Sequence, residues 1–445
     1  MLFTAGADLM EMTIGRCGPI TTRIRAPPSK SYTHRALIIA ALADGISHIT
    51  GQLDADDTRI TARALAQLGV KIVWQQDLIT VYGTGGRLHE PGCPINIGDS
   101  GTTMRLLTAV CLLADGPVLL TGSDRMQERP IGPLVDALNQ AGADISYTGM
   151  KGCPPLLISG SLPGGLISID GSVSSQFISS LLIASPYAQS AVQIQLTGQI
   201  VSEPYIRITT EIMELFGVKT ENPKPGRYHM SAHSRYHPSE YIVEGDYSSA
   251  SYWFALAAVT GGTITIDGLN PESMQGDRRF LEILAQMGCT IRWEISDLSR
   301  SCNVGTSSVT ISRNGPIQGI KVDMSDCPDV VQTLAMVAAI AITPSRIMGI
   351  HHLREKESDR ISAIVDGLNQ LGGRAESSYD EIQIYPAPLH GGIIQPKRDH
   401  RTAMSFAILG TVIGGVTILD AGCVTKSYPE FWEVFKEVWK IAESC

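Results

Sequence analysis

The feature that most constrains this chain is a repeat read six times along it. A short β-branched strand runs into a glycine as HITGQ (Gly51), VLLTG (Gly122), IQLTG (Gly198), TITIDG (Gly268), SRIMG (Gly349) and VTILDAG (Gly422). The spacing is about 70–80 residues, longer than the units of a solenoid. Each strand is followed by a helix that closes on Leu-Gly or a near variant: TARALAQLG, PLVDALNQAG, ITTEIMELFG, RFLEILAQMG, ISAIVDGLNQLG, and finally PEFWEVFKEVWKIAE. Their apolar residues recur three and four apart, which predicts amphipathic helices with one buried face.

A second piece recurs in step with the first. A Ser or Asp opens a helix that is apolar on nearly every side: SKSYTHRALIIAALA from Ser29, DSGTTMRLLTAVCLLA from Asp99, SSQFISSLLIA from Ser174, DYSSASYWFALAA from Asp246, DVVQTLAMVAAIA from Asp329 and DHRTAMSFAILG from Asp399. Ser and Asp are strong helix N-caps. A helix apolar all round must be covered on all sides. Each repeat therefore predicts one buried helix, one outer helix and a few strands. Since single cores stop growing near roughly 250–300 residues, 445 residues predict two domains. Six repeats in two groups of three give an α/β fold with three outward-facing sheets per domain around parallel buried helices. Helix N-termini that point the same way gather free N–H groups and partial positive charge, and so attract anions.

Cationic residues crowd these caps and the outer loops. Lys30 and Arg35 lie in the first cap, Arg105 after the second, His400 and Arg401 in the sixth; Arg125, Arg129, Arg354, Lys356, Arg360 and Lys426 lie in the outer loops. A lone surface cation is usually solvated, but recurrence at equivalent positions predicts a polyanionic substrate pair gripped by Arg forks and Lys charges. The net charge of -9 disfavours nucleic acid, so such anions must be held locally against the overall field. Two carboxylates sit among the cations. Asp329, in SDCPD, reads equally as a helix cap or a catalytic group. Glu357, in REKESDR, reads as a member of an ion-pair network or as an acid or base. Gly101 in GDSGTT permits close backbone approach to a ligand.

Other classes are disfavoured. Nine scattered cysteines contain no CxxC pair, and neither HExxH nor GxxxxGK[ST] occurs, so no disulfide framework, metal site or P-loop is expected. No apolar run reaches the roughly 18 residues of a membrane span. The leader MLFTAGADLMEM has Asp8 and Glu11 but no Lys or Arg; it reads as a loose tail on a cytoplasmic protein rather than as a targeting peptide.

The motifs PPSKSYTHRAL, GDSGTTMRLL, RMQERPIGPLVDAL, GSVSSQF, VEGDYSSASYW, SMQGD, REKESDR, DHRTAMSF and TKSYPEFW run in order from Pro27 to Trp432. Together they resemble the EPSP synthase family, the 3-phosphoshikimate 1-carboxyvinyltransferases. The resemblance implies a two-domain inside-out α/β barrel: residues 1–25 with 245–445 as a discontinuous domain, residues 26–244 as an inserted one, and an active site in the cleft between them. It implies transfer of the enolpyruvyl group of phosphoenolpyruvate to the 5-hydroxyl of shikimate 3-phosphate by a monomer, with no metal or organic cofactor. Lys30, Ser31, Arg35, Ser174, Ser175, Gln176, Ser202, Tyr205, Asp329 and Lys356 are the implied partners of shikimate 3-phosphate. Lys30, Gly101, Arg129, Gln176, Arg360, Arg401 and Lys426 are those of phosphoenolpyruvate. Asp329 is the implied base for the 5-hydroxyl, with Glu357 and Lys356 moving protons at the enolpyruvyl carbons and Lys30 touching both substrates.

Three positions depart from the family pattern: Asp99 stands where Asn is frequent, Leu106 where Pro is, and His352 where some members place a substrate-binding Asn. Gly101 implies sensitivity to glyphosate, which a bulkier residue there would crowd. The related UDP-N-acetylglucosamine enolpyruvyl transferases are the nearest alternative, but they carry a reactive loop cysteine that SDRMQERP lacks; Cys111 lies in an apolar helix. A non-catalytic anion-binding relative is the other.

Overall fold

The computed structural model describes residues 2–5, 10–231, 234–295 and 307–443. Twelve α-helices are present among them. They alternate between two kinds, as the repeats predict. The buried kind are α1 (Lys30–Leu42), α3 (Gly101–Val110), α5 (Ser175–Ala184), α7 (Tyr247–Thr260), α9 (Val331–Ala338) and α11 (His400–Ile413). The outer kind are α2 (Asp56–Gln67), α4 (Gly132–Gln140), α6 (Glu203–Leu215), α8 (Arg279–Gln286), α10 (Arg360–Gln370) and α12 (Phe431–Glu443). α7 buries every side chain from Tyr247 to Val259, and α11 every one from His400 to Thr411. α8 buries only Phe280, Leu281, Ile283 and Leu284, the one stripe its period allows. None of these helices is long and apolar enough to cross a membrane.

The chain divides into two compact units: a split unit of Met1–Pro27 with Glu244–Cys445, and an inserted unit of Pro28–Val243. Each holds three four-stranded sheets, and all six follow one plan. A parallel pair forms one side; an antiparallel hairpin completes the other. In the inserted unit, Ile46–Thr50 pairs in parallel with Glu240–Ile242 and antiparallel with Leu78–Tyr82. The last strand of that unit thus closes onto its first repeat. In the split unit, Thr21–Arg25 pairs in parallel with Thr263–Asp267, which joins the short amino-terminal piece to the carboxy-terminal one.

The leader is where the sequence reading fails. Met10–Ile14 pairs antiparallel with Val416–Ile418, and Leu2–Ala5 pairs with Met10–Ile14. The leader is therefore half of the sixth sheet and not a loose tail; residues 1 and 6–9 lie outside the described ones. The physical reason lies in alternation: Met12 and Ile14 face the core and are fully buried, while their neighbours are not. Without this pairing Val416–Ile418 would keep an open edge.

Each unit has its own apolar core. Buried side chains of α7, α9, α11 and α12 form one, with Trp253 stacked on Phe431 at 5.5 Å between ring centroids. Those of α1, α3 and α5 form the other with the inner faces of their sheets. Apolar residues fill the middles of the buried helices, so their polar first turns are left for other work.

Candidate active site

In the split unit, the polar residues gather around Arg360, the first residue of α10, which is only 2% exposed. Its Nε donates to Asp399 Oδ2 at 2.8 Å, Nη1 to Asp329 Oδ1 at 3.2 Å and Nη2 to Glu357 Oε2 at 2.9 Å. Lys426 Nζ stands 3.2 Å from the other Glu357 oxygen. Arg401 donates from Nη2 to Asp329 Oδ2 at 2.9 Å and from Nη1 to the Asp329 carbonyl at 3.0 Å. Burial works against the Arg360 charge, but Asp399, Glu357 and Asp329 outweigh it and lift its pKa above the ordinary arginine value.

Exposure separates the three carboxylates. The Asp399 side chain is 0% exposed, that of Asp329 21% and that of Glu357 15%. Asp399 is structural: it accepts the Arg401 backbone N–H to start α11 and the Ser358 hydroxyl at 3.0 Å. Asp329 and Glu357 keep an open side on which a substrate can be met. Asp329 is not a helix cap. It lies in a tight turn, Pro328–Val330, ahead of α9, and its carboxylate serves the two arginines instead. Lys356, half-buried, precedes Glu357 at the end of the turn His351–Glu355. His352 is buried, and burial pushes its imidazole down to about 3, so it stays neutral.

In the inserted unit, the most deeply buried cation meets neutral groups. Arg35, fully buried one turn into α1, donates to Thr209 Oγ1 at 2.7 Å, Ser179 Oγ at 3.2 Å, the Ser31 carbonyl at 3.1 Å and the Tyr205 carbonyl at 3.3 Å. Burial pulls its pKa down to about 10, and it remains charged near neutrality. Its guanidinium lies 5.9 Å from the centroid of the Tyr205 ring. At the start of α5, Ser174 caps the helix by accepting the Gln176 N–H, and Ser175 is buried beside it. The Gln176 side chain is clamped between Thr102, 3.0 Å away, and Arg105 Nη1, 3.2 Å away. Ser202 sits at the start of α6 with φ of 55°, a strained left-handed backbone for a serine. Gly101 opens α3 against Arg129: a Cβ there would meet the guanidinium at 2.5–2.7 Å. Lys30 pairs with buried Asp57 at 3.2 Å.

The structure thus joins Asp329, Glu357, Arg360, Arg401 and Lys426 in one bonded cluster of the split unit, with Lys356 adjoining in sequence. It places Ser31, Arg35 and Tyr205 in a second group, Gly101 with Arg129 in a third, and Ser174 and Gln176 around Arg105. In the sequence Arg105 is legible as a cap cation with no role of its own. Asp57, which no motif marks, and the pairing duty of Asp399 are not legible there. The second buried helix is capped by Ser100, which accepts from Thr103 N, and not by Asp99, which accepts from Ser123 Oγ. Cys111 is buried at the end of α3, where burial pushes its thiol up to about 12, unfit for nucleophilic attack. No group of three metal-ligating side chains occurs among the described residues.

The family model of EPSP synthase (3-phosphoshikimate 1-carboxyvinyltransferase) matches residues 15–435. A protein named 3-phosphoshikimate 1-carboxyvinyltransferase from Methanospirillum hungatei is 60% identical over 441 residues, covering 98% of this chain and 100% of that one. One of the same name from Methanoculleus marisnigri is 48% identical, covering 95% and 98%. Among solved structures, an EPSP synthase from Acinetobacter baumannii is similar with a TM-score of 0.80 and 27% identity, covering 96% of this chain and 98% of that one. With a match over nearly its whole length, the chain belongs to the EPSP synthase family.

Proposed function

We propose that this protein transfers the enolpyruvyl group of phosphoenolpyruvate to the 5-hydroxyl of shikimate 3-phosphate, releasing inorganic phosphate. One observation carries the reading beyond family membership: two partly open carboxylates, Asp329 and Glu357, are fixed by three cations, Arg360, Arg401 and Lys426. That equipment suits a reaction that moves protons beside a departing anion.

In this reading Lys30, Ser31, Arg35, Ser174, Ser175, Gln176, Ser202 and Tyr205 hold shikimate 3-phosphate, with Asp329 and Lys356 at its reacting side. Lys30, Gly101, Arg129, Gln176, Arg360, Arg401 and Lys426 hold phosphoenolpyruvate. Asp329 accepts the proton of the 5-hydroxyl as that oxygen bonds to C2. Glu357 and Lys356 deliver a proton to C3, giving a tetrahedral intermediate. A proton then leaves C3, the C2–O bond to phosphate breaks, and the methylene is restored. Arginine and lysine charges stabilise the phosphate as it departs, and the carboxylates stabilise positive charge at C2. The protein works as a monomer in the cytoplasm and is inhibited by glyphosate.

Purified protein mixed with both substrates is expected to release phosphate, and glyphosate to suppress that release. Turnover with UDP-N-acetylglucosamine in place of shikimate 3-phosphate would select the related transferase instead. Tight binding with no turnover would select a non-catalytic relative. Elution from a sizing column at the dimer position would refute the monomer.

A further inference from the structure

The SMQGD motif ends on a carboxylate that the reaction above does not use. Asp277 lies in the turn Gly276–Arg278 that feeds α8, and it is 3% exposed. Its Oδ2 accepts the hydroxyl of Ser248, in the first turn of α7. Ser248 Oγ in turn faces Arg401 Nη2 at 3.4 Å, and the same nitrogen donates to Asp329 Oδ2 at 2.9 Å. One hydroxyl thus spends its hydrogen on Asp277 and its lone pair on Arg401. The relay ties three repeats together: the turn before α8, the start of α7, and Arg401 of α11 reaching the turn before α9.

We propose that Asp277 is a positioning residue: through Ser248 it holds Arg401 against Asp329, and its charge tunes how readily Asp329 takes up a proton. The inference rests on the reading of Asp329 as the base. The groups that face Asp277 come from several elements: Asp246 at the cap of α7, Asp329 and Cys327 from the approach to α9, and Arg401 from α11. Burial holds the Cys327 thiol neutral. On its own stretch, Arg278 donates to the Pro271 carbonyl and Arg279 to the Asp323 carbonyl at 2.9 Å. Burial, then the Asp329 charge, pushes Asp277 up to about 7, with Arg401 and Ser248 pulling the other way. Interaction between two carboxylates is mutual, so an ionised Asp277 makes protonation of Asp329 easier. The base strengthens as Asp277 loses its proton, and kcat should rise with pH through the neutral range.

Asp277→Asn is close to isosteric and keeps an acceptor for Ser248, but it cannot ionise. Its kcat at pH 8 is expected to fall about tenfold, less than the roughly 10²–10⁴-fold of a group that itself transfers the proton, because Asp277 acts only through Asp329. Near pH 6 it should match the wild type; the rising neutral limb should vanish and both KM values should change little. Ser248→Ala removes the bond that favours the ionised form. It should keep the limb but move it to higher pH, and so judges the idea even if the asparagine chain folds poorly. A wild-type-shaped profile in Asp277→Asn, or an unmoved limb in Ser248→Ala, would overturn the proposal. So would an effect on KM alone, which marks a packing role. Infrared titration of the ligand-free protein needs no turnover: the protonated-carboxyl band lost in Asp277→Asn should disappear as pH rises through neutrality. Its absence at pH 6 would overturn the proposal. A wild type that turns over neither substrate would refute the reaction instead, leaving the infrared result to decide the proton on Asp277.

Discussion

The two units share one fold plan, yet they treat their buried arginines in opposite ways. Arg360 of the split unit bonds three carboxylates, and Arg35 of the inserted unit bonds only hydroxyls and carbonyls. The contrast shows in their proton affinities, raised for Arg360 and lowered to about 10 for Arg35. A buried charge without a counter-charge is costly, and it persists where a ligand supplies the missing anion. Around Arg35 the inserted unit therefore has the chemistry to receive an anion. Around Arg360 the split unit has its anions already, and its cations fix the carboxylates that the proposed reaction uses.

The sharpest way to break this division is at Asp329. Asp329→Ala should lower kcat about a thousandfold, within the range for a general base, while the KM values move only severalfold. Phosphate-release kinetics decide it. A variant with intact kcat and weakened binding would make the split unit another anion receiver and erase the contrast.

Replacing the two arginines by methionine tests the contrast through stability. Arg360→Met leaves Asp399, Glu357 and Asp329 without their shared cation and should cost about 3–5 kcal/mol, the usual result of breaking a buried pair. Arg35→Met strands no carboxylate, and Ser179 and Thr209 still bond each other at 2.7 Å. Ligand-free stability should change by less than about 1 kcal/mol, since a neutral residue of similar volume replaces an uncompensated charge. The KM for shikimate 3-phosphate should nonetheless rise about 10- to 100-fold, as losing charge-assisted hydrogen bonds of about 1.5–3 kcal/mol implies. Denaturant melts and steady-state kinetics separate these outcomes. Equal destabilisation by both substitutions would sink the comparison.

Each unit buries a histidine that burial keeps neutral, His34 in the inserted unit and His352 in the split one, so acid should strain both units at these positions. His34 and His352 are both pushed down to about 3, mainly by burial. The sign follows from where the protons go. Below the unfolded value near 6.5 the unfolded chain takes up protons that the folded chain refuses, so stability is lost as pH falls from about 6.5 toward about 3. At pH 5 each histidine should remove about 2 kcal/mol relative to pH 8. His352→Asn should flatten that dependence by the share of one histidine. An unchanged pH slope in its melting curves would mean that His352 is charged in the fold.

Much of this architecture is legible in the sequence because periodicity is a local signal. Twelve helices and the strand-ending glycines announce themselves within windows of some fifteen residues. The leader does not, because its burial depends on Val416–Ile418 at the far end of the chain. The same holds for the site. Lys30, Gly101, Glu357 and Arg401 stand in motifs, whereas Asp57 stands in none and Asp277 closes SMQGD without a legible partner; both find their partners only when separate helices meet. Asp329 shows the limit from another side. An aspartate before an apolar helix reads equally as a cap or as a catalytic group, and only the bonds to Arg360 and Arg401 set the cap aside.

The smallest expected effect lies at Gly101, where the inserted unit brings backbone against a guanidinium. A Cβ there meets Arg129 at 2.5–2.7 Å, but the neighbour is the far end of a flexible side chain and not backbone. Arg129 should therefore swing aside and the helix should stay put. Alanine at the first position of α3 is also a good helix former, so the melting temperature of Gly101→Ala should match the wild type. What changes is the aim of one cation. The KM for phosphoenolpyruvate should rise about threefold, the scale of a weakened rather than lost hydrogen bond, with that for shikimate 3-phosphate unmoved. Inhibition by glyphosate should weaken more than substrate binding if, as the proposed reading has it, the inhibitor is the ligand the added methyl crowds. If instead the shikimate 3-phosphate KM rose while that for phosphoenolpyruvate held, Arg129 would belong to the other substrate, and the inserted unit would serve one anion rather than parts of two.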